Sequence, residues 1–140
     1  MLLPKKVKYR KLQRGRDAIQ YRHPAQRGIT IAFGSFGLKS IEQGRIRSNQ
    51  IEAARRTINR AMGKTGRIWI RIFPDRPYTQ KAAEVGMGKG KGDVHAYEAP
   101  VLRGSVLFEV DGIDETTARE ALRKASAKLP VKTRFVVRNG

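Results

Sequence analysis

Apolar positions recur with two different periods along this chain, and the changes of period mark out its elements. In "SNQIEAARRTINRAMGKTG" (48–66), Ile51, Ala54, Ile58, Ala61 and Met62 fall three or four residues apart, the spacing of one helix face. Ser48 or Asn49 is placed to cap this helix, Asn49 and Glu52 have capping-box spacing, and Gly63 and Gly66 end it. In "RIWIRIF" (67–73) the period drops to two. Ile68, Ile70 and Ile72 take one face of a strand, and Arg67, Trp69, Arg71 and Phe73 take the other.

The remaining elements follow from the same two periods. "ITIAFGSFGLKSI" (29–41) reads as two short strands with a sharp bend at Gly34-Ser35. "PDRPYTQK" (74–81) reads as a proline-stiffened extended loop. "VHAYEAPV" and "SVLFEVDGI" read as strands joined around Arg103-Gly104. "DETTAREALRKASAKLP" (114–130) reads as a second helix with Asp114 as cap, Pro130 as stop, and Ala118, Ala121, Leu122, Ala125 and Leu129 as its buried stripe. "VKTRFVV" (131–137) closes the chain as a strand. The expectation is an α+β two-layer sandwich, two helices packed on a mostly antiparallel sheet. With 140 residues and no repeat, it forms one domain: a basic arm over 1–28, a globular core over 29–138, and a glycine/lysine loop over 85–94.

Charge turns this outline toward a partner. Thirty Lys and Arg against twelve Asp and Glu leave a net charge of +18. A balance this basic points to a polyanion, and each phosphate neutralised by Lys or Arg releases counterions. Membrane is the weaker choice, because no lipidation motif, basic amphipathic helix or long apolar run occurs, and Pro4, Lys5 and Lys6 interrupt "MLLPKKVKYR" before it can act as a secretory signal. Residues 1–28 hold nine bases, among them Lys5, Lys6, Lys8, Arg10, Lys11, Arg14 and Arg16, with Asp17 the one acid. This segment reads as an arm that orders on a polyanion. Residues 53–74 hold six bases and no acid: Arg55, Arg56, Arg60, Lys64, Arg67 and Arg71. The first three lie largely off the apolar stripe of the helix. Arg67 and Arg71 interleave with Trp69, a pattern suited to phosphate pairing and base stacking. Residues 104–129 hold five acids and four bases, so the second helix is expected to face away from the polyanion or to lie at its margin.

Catalytic and metal chemistry find little support. There is no cysteine, and His23 and His95 lack ligand spacing. "VGMGKGKGDV" (85–94) fails the phosphate-loop pattern, since Ala83 or Val85 stands where the first glycine belongs and Gly92 follows Lys91. Asp111, Asp114 and Glu115 cluster where a helix start attracts carboxylates anyway. No cofactor, metal or homo-oligomer is expected. Two readings stay open on residues alone: a basic RNA- or DNA-binding protein, and a phosphate-ligand enzyme built on the glycine run.

"PKKVKYRK", "FGSFGLK", "NQIEAARR", "RIWIRIFPDRPYT", "GMGKGKG" and "KLPVKT", in that order, decide among these readings. They resemble the bacterial and organellar large-subunit ribosomal protein sixteen, the counterpart of eukaryotic large-subunit protein ten, over roughly residues 2–137. The resemblance implies a non-enzymatic protein of bacterial cytoplasmic or organellar ribosomes. Its implied partners are large-subunit rRNA, tRNA near the aminoacyl-tRNA site, and other large-subunit proteins, with a role in late subunit assembly. It also implies that Gly86, Met87, Gly88, Lys89, Gly90, Lys91 and Gly92 form a loop pointing toward the peptidyl-transferase region. The chain departs from the family at Gly86, where an arginine is usual, and over residues 18–27.

Overall fold

The computed structural model describes residues 2–6, 23–80 and 93–138. In chain order these form β1 (Phe36–Ser40), β2 (Gly44–Arg47), α1 (Ser48–Met62), β3 (Arg67–Ile70), β4 (Arg76–Gln80), β5 (Asp93–Val101), β6 (Val106–Asp111), α2 (Glu115–Ser126) and β7 (Thr133–Val137). The strands divide between two antiparallel sheets, one ordered β3-β6-β1-β7 and the other β2-β5-β4. The α+β class expected from the sequence holds. The two helices pack against each other, α2 over β1 and β7, and α1 between β3 and the smaller sheet.

Register explains where the core sits. Ile68 faces Val110, Ile70 faces Phe108, and Leu38 lies between Phe108 and Phe135. Side chains alternate across a sheet, so these residues share one face, and that face meets the helices. From α1 come Ile51, Ala54, Ile58 and Met62; from α2 come Ala118, Ala121, Leu122 and Ala125, all buried in the same cluster. The periodicity in the sequence thus selects the stripe that the fold buries.

Four elements differ from the sequence expectation. Residues 29–35 form no strand; they cross the outer face of the larger sheet as a strap, and only Phe36–Ser40 joins a ladder. The helix N-cap is Arg47, whose N–H donates to the Gln50 side chain at 2.9 Å, so neither Ser48 nor Asn49 caps it. The ladder of β3 stops at Ile70, three residues short of Phe73. Residues 76–80, expected as loop, form an edge strand against β5. Pro77 lacks an N–H and is tolerated because β4 has a neighbour on one side only among the described strands.

The expected basic arm is tied down at both described ends. Leu2 packs against the core. Ala25 N–H donates to the Arg103 carbonyl, and Val106 N–H to the Gly28 carbonyl, each at 2.8 Å. Residues 7–22, which hold Lys8, Arg10, Lys11, Arg14 and Arg16, lie outside the described residues, as do residues 81–92. The two ends of that second segment, Gln80 and Asp93, face each other in the β4–β5 ladder. Asp93 and Val94 therefore belong to a strand and not to the glycine/lysine loop.

Candidate nucleic-acid interface

The first candidate face is the outer side of the larger sheet, where the sequence places Trp69 and Arg71. Its organising group is Glu109, an acid within the apolar run "VLFEV" and fully buried. Burying a carboxylate is unfavourable unless charge and hydrogen bonds compensate. Here Oε1 accepts the N–H groups of Ala32, Phe33 and Gly34 at 3.1, 2.8 and 2.9 Å. Oε2 pairs with the Arg71 guanidinium. Burial alone pushes the Glu109 carboxyl up; the Gly34 and Phe33 N–H groups, Arg71 and the Ala32 N–H outweigh it and hold the group below the usual carboxylate range. The carboxylate thus pins the 30–35 strap across the sheet. Arg71 also reaches the Thr30 carbonyl at 3.3 Å and lies over the Phe33 ring, which stacks on Trp69 with centroids 6.1 Å apart.

Arg71 and Trp69 are therefore engaged inside the fold. The strap also needs close approach: a Cβ built on Gly34 would lie 2.5 Å from the Val110 carbonyl oxygen, a contact side chains do not make. Gly34→Ala is expected to lower stability by about 1–3 kcal/mol, the range for overpacked sites, as read by denaturant unfolding. An unchanged midpoint would show that the strap lifts freely.

The second face is the exposed side of α1. Its three arginines do not act alike. Arg55 is half-buried and grips Glu52 with two hydrogen bonds, of 3.0 and 2.5 Å. Arg56 shares the same carboxylate at 3.2 Å but is largely exposed. The Arg55 hydrogen bond, with Arg56 adding to it, lowers the Glu52 pKa to about 2. Arg60 is exposed and makes no ion pair among the described residues. Lys64 and Arg67 continue the exposed positive strip past the helix end, and Lys5 and Lys6 are exposed as well.

Three cations missed by the sequence reading join this face. Arg123, Lys124 and Lys128 line a groove together with Arg56 and Arg60, so the second helix is not turned away from the positive surface. Counting charge by segment hid them, because the five acids of residues 104–129 outnumber its four bases. Their spacing along the helix was the available signal.

Outward cations on a helix pair and a strand edge, around a core with no unpaired buried side-chain polar atom among the described residues, define a basic α+β protein with a positively charged outer surface. No helix among those residues is long and apolar enough to cross a membrane. The chain belongs to the ribosomal protein L16p/L10e family, whose pattern matches residues 4–136. It is 55% identical over 138 residues to the large ribosomal subunit protein uL16 of Halorhodospira halophila (strain DSM 244 / SL1), covering 99% of this chain and 98% of that one. As a member of a ribosomal protein family, it is a structural component and not an enzyme.

Proposed function

We propose that this chain, a structural constituent of the large ribosomal subunit, binds the subunit's rRNA through the positive strip of residues 53–74, on α1 and β3, and through its N-terminal arm. The carrying observation is the outward placement of Arg60, Lys64 and Arg67 in a stretch of 22 residues, 53–74, that holds six bases and no acid. Phosphate contacts of this kind fix position without reading sequence. Arg71 and Trp69 serve this surface indirectly, by holding the strap beside it. The partners are large-subunit rRNA and neighbouring ribosomal proteins, on ribosomes of the cytoplasm.

The glycine/lysine segment has a separate task in this reading. It connects the paired ends of β4 and β5, so it leaves the smaller sheet from one point. Glycines let a backbone approach another backbone closely, and Lys89 and Lys91 supply charge for phosphate. The segment is assigned to tRNA near the aminoacyl-tRNA site and the peptidyl-transferase region, and to late subunit maturation.

Two measurements test these assignments. Tagged protein should co-sediment with large subunits through a high-salt cushion; recovery only in the free fraction would count against rRNA binding. Lys89→Ala with Lys91→Ala should leave incorporation near wild type and slow peptide-bond formation on purified subunits. Wild-type rate and wild-type subunit yield together would remove the loop's assigned role.

A further inference from the structure

The groove between α1 and α2 has properties that neither helix has alone. Two cations come from α1, Arg56 and Arg60, and three from α2 and its end, Arg123, Lys124 and Lys128. Among the described residues no acid lines it, and between the cations its surface is made by the small side chains of Ala53, Thr57 and Ala127. Arg60, Lys124 and Lys128 make no ion pair among the described residues. Arg56 and Arg123 do have carboxylate partners, Glu52 and Glu120, but both arginines are well exposed, at 72% and 66%. Exposed pairs of this kind are weak and readily exchanged for a phosphate.

Helix dipoles account for part of this pattern. Arg60, Arg123 and Lys124 sit in last turns, where cations are favoured. That effect does not reach Arg56, a turn earlier. Nor does it require the basic ends of two helices to converge on one acid-free channel with a low floor.

We propose that this groove is a further RNA site, resting on the rRNA-binding reading above, in which a phosphodiester strand lies between a rail of arginines on α1 and a rail of cations on α2. The ligand is recognised by its backbone. Among the described residues no aromatic side chain lines the groove, so it offers bases no ring to stack on, and the small floor lets a sugar–phosphate chain descend between the rails. A protein partner fits less well, because the groove offers no large apolar pocket for an anchoring side chain. The site joins α2 to the positive surface of α1, so one RNA face spans both helices.

The test compares two triple variants of the full chain, each losing three positive charges. The groove variant is Arg123→Gln, Lys124→Gln and Lys128→Gln; the control is Lys132→Gln, Arg134→Gln and Arg138→Gln, which are exposed and outside the groove. Gln matches Lys and Arg closely in helix propensity, and melting temperatures check that both variants fold. Purified large-subunit rRNA is titrated at a series of KCl concentrations. The groove variant should flatten the slope of log K against log salt by about 2–3, at roughly 0.7–0.9 for each phosphate no longer neutralised, and the control by less than about 1. Equal flattening by both would show a net-charge effect and overturn the proposal, as would an unchanged slope in the groove variant. Wild-type binding of polyglutamate as tight as that of rRNA, and lost in the groove variant, would overturn the choice of RNA. A Lys64→Gln, Arg67→Gln variant separates the failures. If it weakens rRNA binding while the groove variant does not, only the groove proposal falls; if neither does, the rRNA reading of this face falls with it.

Discussion

Glu109→Gln is expected to be among the most destabilising single changes in this protein, costing about 3–5 kcal/mol, the range for removing one partner of a buried ion pair. Glu109 is fully buried, and its two oxygens serve three strap N–H groups and Arg71. The amide keeps one acceptor for the strap but turns an N–H donor toward the Arg71 guanidinium. The melting temperature should fall by roughly 10 °C, at about 2–4 °C per kcal/mol for a chain of this size. The loss should also depend on pH, with a definite sign. The folded pKa of Glu109 lies below its unfolded value. Its contribution is therefore complete above the unfolded value, roughly 4.3, and is lost as pH falls through the folded value. The gap between wild type and variant should be widest near neutrality and close in acid. A double change, Arg71→Met with Glu109→Gln, should recover part of the loss, because it no longer strands a guanidinium. A gap below about 1 kcal/mol at neutral pH, or one that does not close in acid, would show that the strap is held by other groups.

Glu109 also shows what a one-dimensional reading can and cannot reach. The helices were legible because their signal is local: Ile51, Ala54, Ile58 and Met62 recur at helical spacing, and the fold buries those residues. The alternation in 67–73 assigned Ile68 and Ile70 to the core side correctly. The fate of the opposite side was not legible. The strap that covers Trp69 and Arg71 comes from far away in the chain: 41 positions separate Thr30 from Arg71, and 76 separate Phe33 from Glu109. No periodicity encodes that return. One cue was present. An acid inside "VLFEV" must find compensation if the run is buried, and a neighbouring strand face carrying an arginine is where it would be sought. β4 was missed for the opposite reason. Pro74 and Pro77 are strong local loop signals, and only the edge position of the strand makes Pro77 harmless. The arginines of α1 were placed off the apolar stripe correctly, yet a stripe does not separate an exposed charge from one already held by Glu52. That distinction needs side-chain geometry, and it leaves Arg60 as the freest of the three.

Removing residues 2–16 is expected to give the largest change in RNA binding. Seven bases leave with the segment: Lys5, Lys6, Lys8, Arg10, Lys11, Arg14 and Arg16. No acid leaves with them, since Asp17 remains. If each base neutralises one phosphate, the slope of log K against log salt should flatten by about 5–6. Affinity for purified large-subunit rRNA should then fall by orders of magnitude at low salt and much less at high salt. The globular part should survive with a modest loss, because only Leu2 of the described arm residues packs on the core and it is half-buried. Tying of the chain by Ala25 and Gly28 lies beyond the deletion and is retained. The two readouts thus separate a binding defect from a folding defect: anisotropy titrations across KCl concentrations report the first, and thermal unfolding the second. A slope equal to wild type, in a truncated protein that melts normally, would mean that the arm's charge is not used on phosphate and that rRNA is held by the helix surfaces alone.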